Sequence, residues 1–194
     1  MNTYKVQKRD METKAKKLRR EGFVTGNLFG KEIRESIPLK MERKEAERLL
    51  RECMKGSQVL LDLEGTTYDV LVKEMDYDSM SNQILEMDFQ ALVKGEKVHS
   101  VAEVVLHNKE QVVGGVVEQH LTEIAYKADP SALVEKVVVD CSTLKLGDTL
   151  KVADLEIAKD QDIDITTHLD APVVSVIAPR NAEIPEDTEE EAAE

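Results

Sequence analysis

Apolar and polar residues alternate in short runs throughout this chain, and glycine or Asp–Pro turns cut each run before it grows long. Such a rhythm can bury only one face of many short strands, which commits most of the sequence to β-sheet. The clearest case is Val59, Leu61 and Leu63, then Glu64-Gly65-Thr66, then Tyr68, Val70 and Val72: two alternating runs about a turn, the pattern of a hairpin. Gln83 to Leu92 predicts another strand. From Val93 onward the same signal repeats at Val98–Leu106, around Gly114-Gly115, at Ile124–Ala128, Lys136–Asp140, Thr149–Val152 and Pro172–Ala178. Gly114-Gly115 reads as a turn or bulge between two Val pairs, and a short helix is expected near Pro130–Val134.

One segment carries a full helical period. Over Met41–Met54, Ala46, Leu49, Leu50, Cys53 and Met54 fall on one stripe, and Gly56 follows as a stop signal. Its outer face mixes basic residues with Glu42, Glu45, Glu47 and Glu52, which reads as a solvated surface. Lys14–Arg20 is short and highly charged, with Ala15 and Leu18 spaced to face a core. Gly22, Gly26 and Gly30 then punctuate a segment read as a loop, where backbone turns sharply or passes close to something. The expected class is therefore mainly β with a few helices (α+β). It divides into a mixed unit over residues 1–92, an all-β unit over 93–180 and a tail over 181–194.

Charge sharpens that division. The chain carries a net −13, yet its first twenty residues hold eight Lys/Arg against two acids. Residues 1–55 sum to +7, residues 56–95 to −6 and residues 96–194 to −14. An anionic protein that gathers its cations at one end meets a polyanion with that end. The final fourteen residues contain seven acids and no Lys or Arg, so they cannot repay the entropy of folding and are expected to be a disordered acidic tail.

Composition closes several other routes. Aromatics are 4% with no Trp, too few for a broad platform that stacks single-stranded bases. Cys53 and Cys141 lie far apart, and His99, His107, His120 and His168 have no ligand spacing, so no metal or other cofactor is expected. With no secretory leader pattern and no long apolar run, a reduced cytoplasmic setting without membrane contact is expected. The glycines at 22, 26 and 30 are not followed by the Gly-Lys-Ser/Thr of a phosphate loop. Asp76, Asp78, Glu86 and Asp88 can be read as solvated carboxylates, a divalent-metal site or paired acids. No nucleophile or His accompanies them, so neither an enzyme nor a small-molecule substrate is expected. Phe29 reads equally as a core anchor or as an aromatic that stacks on a base.

Three stretches resemble a known family. Lys16-Lys17-Leu18-Arg19-Arg20-Glu21-Gly22, running into Gly26-Asn27-Leu28-Phe29-Gly30-Lys31, resembles the opening of a bacterial large-subunit ribosomal protein that binds 5S rRNA. Val72-Lys73-Glu74 with Ile84-Leu85-Glu86-Met87-Asp88-Phe89 resembles its sheet segment. Gly114 to Gln119, Asp140 to Asp148 and Val176 to Arg180 are similar to the second domain of the long form, the general stress protein CTC type. The resemblance implies a six- or seven-stranded N-terminal β-barrel, then a β-sandwich-like domain. It also implies recognition of an irregular RNA helix by shape and backbone. RNA contacts carried over are Lys16, Lys17, Arg19, Arg20, Phe29 and Asp88, the N-terminal charge adds Arg9 and Lys14 as candidates, and the implied partners are 5S rRNA and neighbouring large-subunit proteins. This chain departs from the family pattern at Thr25, Phe29, Asp76, Asp78 and Glu86. Three of these departures add carboxylates to the sheet side, where phosphate is repelled. The competing reading is a stress-associated protein-interaction module of the same fold that has lost RNA affinity.

Overall fold

The computed structural model describes residues 2–81, 83–112 and 114–178. The expected tail therefore lies outside the described residues. Six strands close into a barrel: β1 (Thr3–Lys8), β2 (Phe23–Gly30), β3 (Ile33–Glu42), β4 (Gln58–Leu63), β5 (Thr66–Asp78) and β6 (Gln83–Ala91), in the order β1-β3-β2-β6-β5-β4. The hairpin read from alternation is β4–β5, with Val59, Leu61, Val70 and Val72 inward and the Gly65 amide bonded to Asp62 Oδ1 at 2.9 Å. Closure depends on two parallel contacts between distant segments, β1 with β4 and β2 with β6.

The segment Gly22–Gly30 corrects the loop reading: Phe23–Gly30 is a strand. Gly22 turns the chain at φ +90°, whereas Gly26 and Gly30 within the strand serve close approach. A Cβ on Gly26 would collide with the carbonyl of Met87 on β6, so the parallel pair can pack only with hydrogen there. Met41 and Glu42 also leave the expected helix, because they pair with Val24 and Phe23 as the end of β3. The helix proper, α2 (Arg43–Glu52), buries Ala46 and Leu49 in the barrel core and leaves Leu50 36% exposed. A shorter helix, α1 (Ala15–Arg20), buries only Leu18.

Beyond the barrel come β7 (Val98–His107), β8 (Val116–Gln119), β9 (Glu123–Ala128), β10 (Lys136–Asp140), β11 (Thr149–Lys151), β12 (Ile163–Ile165) and β13 (Pro172–Ile177). They form two sheets, β10-β7-β9-β12 and β11-β13-β8, around a core that includes Ile124, Tyr126, Val152, Val173 and Val174. The buried Tyr126 hydroxyl is satisfied by Val134 alone, donating to its carbonyl and accepting from its amide, both at 2.8 Å. The short helix expected near Pro130–Val134 is a single 3-10 turn at Pro130–Ala132.

A seam joins the two parts. Gly56, at φ +87°, lies so close to Val101 of β7 that a Cβ would strike its carbonyl oxygen. Lys55 pairs with Glu123 at 3.1 Å, and Lys73 Nζ donates to the His99 carbonyl at 2.8 Å. Cys53 and Cys141 are free and buried, and no described helix is long and apolar enough to cross a membrane.

Candidate nucleic-acid interface

α1 presents its cations outward because only Leu18 faces in; Lys14, Lys16, Lys17 and Arg20 are exposed and Arg19 is half-buried. Lys17, Arg19 and Arg20 also occupy the last turn, where positive charge complements the negative end of the helix dipole. The cluster is held in place. Arg43 of α2 donates from Nη2 to the Arg19 carbonyl at 3.2 Å and from its amide to the Gly22 carbonyl at 2.9 Å. Lys17 makes only a loose contact with Glu21 at 3.8 Å, so its charge stays available. Arg9 is not on the helix. It follows β1, half-buried, and reaches the Thr13 carbonyl at 3.1 Å, which braces the segment leading into α1. The Nε atoms of Arg9 and Arg19 are both buried without a hydrogen-bond partner.

α1 leads directly into β2 and packs on it. On β2, Asn27 and Phe29 lie on the side opposite the core residues Val24 and Leu28. Phe29, in register with Gln90, is thus half-buried on the barrel's outer side and is absent from its core, so the core-anchor reading gives way. Asp88 sits beside Asn27 and accepts from both its backbone amide and its side-chain amide, each at 3.1 Å. Glu86 accepts from the same side chain at 3.3 Å. Asn27 therefore clamps two carboxylates across the parallel pair, an arrangement that sequence spacing of about sixty residues could not reveal.

The acidic residues sort into two groups. Glu74 faces Asp88 and Asp76 faces Glu86 across β5 and β6, and these four line a cleft of about 210 Å³ on the outer face. Asp78 stands apart at the hairpin tip. It accepts from Ser81 Oγ at 2.6 Å and from the Met80 amide at 3.0 Å, bonds that hold its carboxyl below the usual range. Among the described residues no group of three or more His, Cys, Asp or Glu is arranged to hold a metal ion. The surface is thus a cationic helix beside a sheet face with four facing carboxylates. The sequence indicated the first but not the pairing of the second.

Comparison with known proteins bears on the same two regions. A family model described as the ribosomal L25p family matches residues 5–89, and one described as ribosomal protein TL5, C-terminal domain, matches residues 97–180. A protein of Thermoanaerobacter sp. (strain X514) named large ribosomal subunit protein bL25 is 33% identical over 173 residues, covering 87% of this chain and 84% of its own length. A protein of Bacillus pumilus (strain SAFR-032) with the same name is 29% identical over 199 residues, covering 100% and 94%. The first match spans the barrel with α1 and α2, the second spans β7 to β13, and whole-chain relatives join both in this order. The chain accordingly belongs to the ribosomal L25p family, in the long bacterial form that carries a TL5-type C-terminal domain.

Proposed function

We propose that this protein is a structural, non-catalytic component of the large ribosomal subunit that binds 5S rRNA through residues 1–92. Residues 93–180 then turn toward neighbouring ribosomal proteins in the cytoplasm. The observation that carries the reading is the exposed cationic face of α1 within the region matched to the L25p family. Arg9, Lys14, Lys16, Lys17, Arg19 and Arg20 supply affinity by releasing counterions from phosphates. Phe29 offers an apolar ring on the outer face, and the Asn27–Asp88 clamp fixes the sheet face that lies beside it. Its carboxylate can still accept from base amino groups.

The test is a salt titration of the full chain against 5S rRNA and against an unrelated RNA hairpin. Replacing the exposed Lys16, Lys17 and Arg20 with Gln is expected to weaken 5S binding by roughly ten- to a thousand-fold. It should also flatten the slope of log affinity against log salt by about two to three. Equal affinity for the two RNAs at moderate salt overturns the proposal. The four facing carboxylates favour a second reading, a protein-interaction module of this fold with little RNA affinity. Stoichiometric co-sedimentation with large subunits rules that reading out.

A further inference from the structure

The seam between the barrel and β7–β9 encloses a cleft of about 320 Å³, on a different part of the molecule from α1. One end of this seam is charge-balanced by the Lys55–Glu123 pair. The other end is not. Lys73 and His99 line the cleft, and Lys127 stands directly across from His99 on β9. Among the described residues the Lys73 ammonium donates to an uncharged acceptor, the His99 carbonyl, at 2.8 Å. Burial, with Lys55 nearby, presses the Lys73 pKa down. Burial, then Lys127 and Lys73, likewise presses down that of His99. Glu74 lines the same cleft from β5, and among the described residues Lys73 has no ion pair. Behind it, the Ser100 hydroxyl is sealed in the wall without a partner, so the wall holds a spare donor.

We propose that this seam cleft is a phosphate-binding site, with Lys73 as the principal charge and Lys55 and His99 flanking it. A dianionic or diester phosphate fits the volume and gives the Lys73 ammonium an anionic partner, with Lys55 and the His99 imidazole beside it as further donors. The phosphate group can come from a free ion or from an RNA backbone, and the experiment separates the two. This inference does not depend on the proposed 5S rRNA reading, since its first arm contains no RNA.

His99 is the reporter, and its charged neighbours are Lys55, Lys73, Glu74 and Lys127. Titrating the imidazoles of the full chain by NMR, with inorganic phosphate or pyrophosphate against chloride at matched ionic strength, is expected to raise the His99 pKa by about one unit in phosphate alone. His107, His120 and His168 should not follow. In the Lys73→Met variant the His99 pKa should rise without any anion, and its phosphate response should be lost. A second arm adds a 5S rRNA transcript; a response to RNA but not to free phosphate assigns the site to a backbone phosphate. Equal behaviour in phosphate, RNA and chloride, or a response that survives Lys73→Met, overturns the proposal.

Discussion

Tyr4 shows how one side chain can tie the start of the barrel to its helix. It is fully buried, donates from its hydroxyl to Glu52 Oε2 at 2.7 Å, and lies 3.4 Å from Cys53 Sγ, while Arg48 stacks over its ring at 4.8 Å. Burial and these hydrogen bonds drive its own pKa upward, and the Tyr4 hydroxyl is the largest cause that lowers the pKa of Glu52. A carboxyl whose folded pKa is depressed contributes stability that is present above its unfolded value and disappears as pH falls through the folded one. Tyr4→Phe is therefore expected to lower the unfolding midpoint near pH 7 by roughly 2–4 °C. The gap from wild type should close as the solution is taken below about pH 4. Thermal unfolding monitored by circular dichroism across that range checks it; a gap independent of pH would mean Glu52 is not the partner that matters.

At the level of strands and helices, local pattern was readable and long-range register was not. The β4–β5 hairpin announced itself because both strands alternate about Glu64-Gly65, and α2 because Ala46 and Leu49 share a stripe. β1 carries its signal in Tyr4 and Val6 alone, among cations that draw the eye to charge instead. From sequence β2 reads as a loop, since glycine ordinarily breaks a strand, and its parallel neighbour β6 explains why glycine is required at position 26. Nothing in the spacing told that Glu74 and Asp76 face Asp88 and Glu86, because pairing between β5 and β6 shifts register at two places. That ladder of like charges has a cost. Glu86→Gln keeps an acceptor for Asn27 while removing one repulsion, so it is expected to stabilise the barrel by about 0.2–1 kcal/mol. It should also strengthen RNA binding in the same direction. Denaturant unfolding and the 5S titration on one preparation check both, and a loss of stability would mean the carboxylates are held by something other than mutual repulsion.

For the whole molecule, the seam decides whether two folded units act as one body. Its polar contacts are exposed and worth little individually; an accessible ion pair such as Lys55–Glu123 contributes about 0–1 kcal/mol. Close contact at Gly56 carries more consequence. Gly56→Ala places a side chain at a left-handed backbone position, a penalty of roughly 1–2 kcal/mol, and drives it against Val101. The expected outcome is a larger radius of gyration by small-angle scattering with the circular dichroism of both units retained; an unchanged radius would show that the seam tolerates the methyl. The parallel pairing of β2 with β6 reaches further still. In chain order α1 and β2 precede β6 by about fifty residues, so during synthesis the cations of α1 are made well before the strand that pairs with their neighbour. Until β6 has emerged, the basic segment is attached to a β2 that lacks its parallel partner, so the cationic helix and the sheet face beside it come together only late in synthesis.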